Sequence, residues 1–233
     1  MIAPPNSTAE TMQRSVAFTM AALDAAAELD VDLNPEESQF LASEKSQLET
    51  VLDKLMAAQQ ALEAHLLKKN LQLQARVIVG DAVLDRGVRN AKTRLKMGLK
   101  LSKGDAPNFV FGSNLNDLVN AELRSEPLLV IDSANRLAQV PDFDGKAEVK
   151  KDLEDRASRQ MKVLSDRDEG ELIRSSLASS LTRTIADCSE ALYRLEKRML
   201  DRFPRERGYV SSFFLNAAGK RKTKQEPEVP TTV

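Results

Sequence analysis

The chain has one histidine, His65, and one cysteine, Cys188. Those two residues bound most of the chemistry it can do. His65 lies in Leu62-Glu63-Ala64-His65-Leu66, three residues after a leucine of a seven-residue repeat, so it points inward or nearly so along a helix. A di-iron bundle needs Glu-x-x-His on two helices. Here there is a single Glu-x-His and no second histidine. A Ser-His-Asp triad would also have to use His65, and the Gly-x-Ser-x-Gly elbow that exposes such a serine is absent. His65 is therefore read as a core or boundary histidine. Cys188 falls within an apolar helical stripe, without the helix N-terminus or histidine that activates a thiol. It reads as a small buried hydrophobe. A lone cysteine also excludes an internal disulfide.

Asp142-Phe143-Asp144 offers two carboxylates to a divalent ion. A calcium loop requires more oxygens and a terminal glutamate, so Asp144 is better explained as an N-cap for the helix that follows. No glycine-rich phosphate loop is present. We therefore predict no catalytic, cofactor or metal residue, no small-molecule substrate and no enzymatic activity.

Gly80, Gly87 and Gly98 recur at helical spacing and, with Ala91, form one small-residue face. Such a face either makes a groove for a ligand or partner, or lets a neighbour approach closely. The second reading is preferred, with the Phe109 to Phe111 segment as a possible neighbour. Residues 68–103 hold ten Lys or Arg, with only Asp81 and Asp85 as acids. Arg86, Arg89, Lys92, Arg94, Lys96 and Lys100 are the candidate contacts to a partner or to nucleic acid. Single-stranded nucleic acid is usually held by such a stripe together with aromatic residues, and this arm has none. A second basic patch, Lys220, Arg221 and Lys222, lies near the C-terminus, and the chain ends Thr231-Thr232-Val233. That ending has the form of a peptide whose carboxylate is captured in a groove, a form common by chance.

The elements that must carry these residues are helices. Ser7-Thr8-Ala9-Glu10 is a capping-box pattern, and Met12, Val16, Met20, Leu23 and Ala27 form the stripe of the helix after it. Asn34-Pro35-Glu36-Glu37 opens a second helix. No proline interrupts the chain again until Pro107. Unbroken, this helix would hold roughly 66 residues and span about 100 Å. Leu41, Leu48, Leu55 and Leu62 give its first half a heptad seam, and Gly80 is the expected break. Residues 102–113 are expected as a loop, with short helices over 114–123 and 127–139. A second long helix should run from Lys146 to about Phe203 and end at Pro204.

The domain organisation expected is a start without order over 1–6, the first two helices over 7–103, a short-helix cap over 104–145, the second long helix and an aromatic segment over 146–218, and a basic, proline-rich tail over 219–233. The fold class expected is all-α. It would be an elongated helical bundle on two very long antiparallel helices, coiled-coil-like, with the N-terminal helix and the small cap packed on them. Charge favours that pairing: residues 1–37 carry seven acids and one Arg, and the basic 86–100 stretch faces the acidic 142–155 stretch.

Composition agrees. Charged residues are 30% of the chain and aromatic residues 4%, with no Trp, as in long paired helices rich in surface. The net charge of -1 does not mark the whole chain as a polyanion binder. No apolar run is long enough to cross a membrane. A signal-like stretch over Val16 to Ala27 is interrupted by Asp24 and preceded by Glu10, so the cytoplasm is expected. Around 48–67 the apolar stripe is wider than a two-helix seam needs. The function expected is a scaffold acting through protein–protein interaction, a homo-oligomer joined by apolar helix faces. The alternative is a nucleic-acid-associated protein using the 68–103 arm and the basic tail.

Overall fold

The computed structural model describes residues 2–100 and 105–215, and all regular structure among them is helical. In order these are α1 (Ala9–Leu29), α2 (Pro35–Ala64), a π-helical segment (His65–Asn70), α3 (Leu71–Gly98), α4 (Asp105–Phe111), α5 (Leu115–Val119), α6 (Glu126–Ala138), α7 (Lys146–Arg202) and α8 (Arg207–Ser212). The chain divides into two compact units. The first is Met1–Leu62 with Leu177–Val233, and the second is Glu63–Ser176. Both long helical runs contribute to both units, so the boundaries cross helices instead of following the loops near 103 and 145.

The helix starts are set by local hydrogen bonds. Thr8 caps α1, its hydroxyl accepting from the Thr11 amide at 3.2 Å. At α2 the Glu37 amide donates to Asn34 Oδ1 at 2.9 Å, and the Asn34 amide donates to Glu37 Oε2 at 3.0 Å. That reciprocal pair satisfies two amides that no helical carbonyl can reach. Asn114 caps α5 in the same way, accepting from the Asn116 amide at 3.1 Å.

Two expectations are corrected. Helix α3 passes through Gly80 without a break; a glycine in a helix costs only about 1 kcal/mol, and packing against α7 holds it. The irregularity falls at His65–Asn70 instead, where no glycine or proline marks it. Residues 105–111 form helix α4, not a loop. Pro107 is tolerated in its first turn, and burial of Val110 and Phe111 holds it in place, while Phe109 stays exposed.

In the first unit, α1, α2, the later part of α7 and α8 enclose a core that includes Met12, Val16, Leu23, Leu41, Leu48, Leu55, Cys188, Leu192, Leu195 and Phe213. Three heptad leucines of α2 are thus buried. An acid joins the same seam: Glu44 is 4% exposed and pairs with Arg198 of α7. In the second unit, α3 packs on α4, α5, α6 and the early part of α7 around Leu84, Val88, Leu95, Phe111, Val130, Leu137 and Leu153. Its contacts with α7 run in opposite numerical order. Leu73 lies against Gly170, Gly80 against Gln160 and Gly87 against Arg156, while Arg94 pairs with Glu148.

Candidate functional site

Helix α3 carries most of the residues singled out by sequence, and it presents three chemically distinct faces. The first meets α7. A Cβ on Gly80, Gly87 or Gly98 would stand 2.1 Å from Gln160 Oε1, 2.4 Å from Arg156 Cδ and 2.5 Å from Phe143 Cδ2, respectively. At its glycines the small-residue face therefore receives Gln160 and Arg156 of α7 and Phe143. Ala91 is buried beside Gly87 on the same helix. Along this contact opens a cleft of about 520 Å³ lined by Ala75, Val79, Gly80, Val83, Gln160 and Val163, with Arg76, Arg156 and Arg159 among its polar residues. Gln160 itself is 2% exposed, and its Oε1 is shut away from solvent with no hydrogen-bond partner among the described residues.

The second face meets α6. Asp81 and Asp85, one turn apart on α3, converge on Glu126 in the first turn of α6. Glu126 is 2% exposed. Burial first, and then the neighbouring Asp81 and Asp85, push its carboxyl up to about 8. At neutral pH the cluster holds a proton on Glu126. Sequence reasoning noticed Asp81 and Asp85 but missed Glu126, which looks like an ordinary first-turn acid. Among the described residues no group of three His, Cys, Asp or Glu is placed to hold a metal.

The third face is open to solvent. Leu71, Ile78, Val79 and Val83 are 56%, 69%, 60% and 43% exposed, and Ala75 and Ala82 lie among them. Helical spacing places this apolar stripe in line with Arg86, Arg89 and Lys96 further along α3. These three cations make no ion pair among the described residues. The expected pairing of the basic stretch with 142–155 reduces to one contact, Arg94 Nη2 to Glu148 Oε2 at 3.0 Å. The acids across from it are largely taken up within α7, as in Arg156 with Asp152 at 2.8 Å and Lys150 with Glu154 at 3.7 Å. The Lys92 amine is half-buried and pushed below its ordinary value by burial and then by Lys96. Lys100 stands just past α3 in a left-handed conformation, φ 54°.

His65 Nε2 lies 3.1 Å from the Gly170 carbonyl oxygen. Cys188 is fully buried, and burial, with Asp187, pushes its thiol up to about 11. Asp142 pairs with Lys146 at 3.1 Å. Lys220, Arg221, Lys222 and the Thr231-Thr232-Val233 ending lie outside the described residues. No helix among the described residues is long and apolar enough to cross a membrane. The chain matches no protein family, no curated protein and no solved structure.

Proposed function

We propose that this chain is a non-enzymatic helical scaffold, working in the cytoplasm by protein–protein interaction and associating with itself through apolar helix faces. The proposed frame is two very long, coiled-coil-like antiparallel helices. One observation carries the reading: the apolar stripe of Leu71, Ile78, Val79 and Val83, four large side chains left exposed on one helix. Single exposed hydrophobes are ordinary, but a contiguous set costs solvation unless another surface covers it. Sedimentation velocity from about 1 to 100 micromolar tests it, a range that spans ordinary self-association constants. Average mass above that of one chain, rising with concentration, is the expected result. A single-chain mass throughout overturns the reading.

A second reading has its own support. Arg86, Arg89 and Lys96 share one solvent face without acidic partners among the described residues, and that is the pattern of a phosphate-contacting stripe. Titration of fluorescent single-stranded RNA and duplex DNA at low salt tests it. Binding that weakens steeply with salt supports nucleic-acid association, and no binding at low salt removes it.

A further inference from the structure

Resting on the self-association reading, we propose that the open face of α3 is covered by helix α1 of a second copy of this chain. The solvent face of α1 is the complement of the α3 face. Ala17, Phe18 and Ala21 are exposed along it, and Phe18, 41% exposed, is the one large side chain among them. Exposed Arg14 and Asp24 flank this short apolar stretch on the same face, Asp24 being paired with Lys45 at 2.9 Å, and Glu10 and Glu28 stand beyond them, both exposed and without an ion pair among the described residues. On the second unit, Lys68, in the π-helical segment just before α3, and Arg86 of α3 stand at the two ends of the apolar face. The members of each pair are about five helical turns apart, roughly 27 Å, and Glu10 and Glu28 lie on a single line along α1. Laid parallel, the two helices bring Glu10 to Lys68 and Glu28 to Arg86 together.

In that register Ala21 falls level with Val79, and Phe18 level with Arg76. Phe18 is then within the span of the α3–α7 cleft, whose apolar walls are Ala75, Val79, Val83 and Val163. An aromatic anchor seated in a preformed apolar cleft, with charges at the rim, is the arrangement that concentrates binding energy in a small interface. The small alanines of α1 allow the backbones to approach. The charges also exclude the simplest rival, α3 packed on α3 of a second copy. Side by side in parallel, Arg86, Arg89 and Lys96 would face themselves. Centred antiparallel on Ile78, Arg86 and Arg89 would each fall within a turn of Lys68 and Lys69.

The test is sedimentation of the full chain and five variants, with helicity checked by circular dichroism. Phe18→Ala should weaken association about tenfold and Ile78→Glu about thirtyfold, as for a central anchor and a buried charge. Both positions are exposed in the single chain, so the fold should tolerate them. Each of these variants keeps one intact face, so an equimolar mixture of the two should associate more tightly than either alone. Glu28→Arg and Arg86→Glu should each weaken association several-fold at low salt, and the double variant should regain it. If the wild type associates while Phe18→Ala and Ile78→Glu leave its constant unchanged, the assigned face is wrong and self-association stands. If the double charge reversal is no better than the singles, the register is wrong. A wild type that stays single at all concentrations removes both ideas.

Discussion

Glu126 of α6, 2% exposed, has Asp81 of α3 as a neighbouring acid that, after burial, raises the hold of Glu126 on its proton. The pair costs stability at neutral pH. In the unfolded chain Glu126 ionises near its ordinary 4.5, whereas in the fold it holds its proton to about 8. Between those values the unfolded state binds fewer protons, so stability falls as pH rises. The penalty is absent below about 4.5 and complete by about 8, where it is on the order of a few kcal/mol. Glu126→Gln keeps the shape of the protonated side chain and cannot ionise. Urea unfolding at pH 5, 6.5 and 8 should show the variant gaining on the wild type as pH rises. A difference that does not change with pH would show that Glu126 does not titrate in this way.

The Glu44–Arg198 pair should respond unequally to its two deletions. Arg198→Ala leaves Glu44, 4% exposed, charged in an apolar seam. The cost should be about 2 kcal/mol, reduced from the fully buried case because Arg198 keeps contact with water. Glu44→Leu removes the buried charge and extends the leucine seam, so it should be neutral or stabilising. Equal losses in the two variants by chemical denaturation would contradict this account.

Gly98→Ala should destabilise the second unit although alanine is the better helix former. The new Cβ would stand 2.5 Å from Phe143 Cδ2 and 2.9 Å from Phe143 Cβ, so the ring cannot simply rotate away. Overpacking costs about 1–3 kcal/mol, against about 1 kcal/mol of helix propensity regained. A melting temperature a few degrees lower is expected, and an unchanged or higher one counts against the packing described.

Cys188 should resist thiol reagents in the native chain. Its thiol is buried and pushed up to about 11, so little thiolate exists at pH 8 and none is accessible. Modification by an aromatic disulfide reagent should be at least about a hundredfold slower than in the denatured chain. A native rate close to the denatured one would place Cys188 at the surface.

Several features were legible in the residues. The Asn34–Glu37 box and the stop before Pro204 depend on groups within a few positions of each other, and local geometry decides them. The burial of Leu41, Leu48 and Leu55 follows from their common period. The π-helical segment was not legible, because His65–Asn70 holds no residue that breaks a helix. Helix α4 was misread as a loop because its Gly and Pro neighbours signal a turn, whereas burial of Val110 and Phe111 outweighs that local preference. Of the surplus apolar surface expected around 48–67, Met56, Leu66 and Leu67 stay exposed while Leu48 and Leu55 are covered, and a further exposed stripe runs over Leu71 to Val83.

By itself, then, the sequence determined that this is an all-helical protein with the caps and seams it has. It also limited what chemistry one histidine and one cysteine can perform. Those are properties of composition and of spacing along one chain. Only the tertiary structure decided which of α3's three faces meets α7, which gathers Asp81, Asp85 and Glu126, and which is left open. Each depends on residues far apart in sequence, Gln160 for Gly80 and Glu126 for Asp81. A helical period states how many faces are apolar, but not which neighbour will cover them.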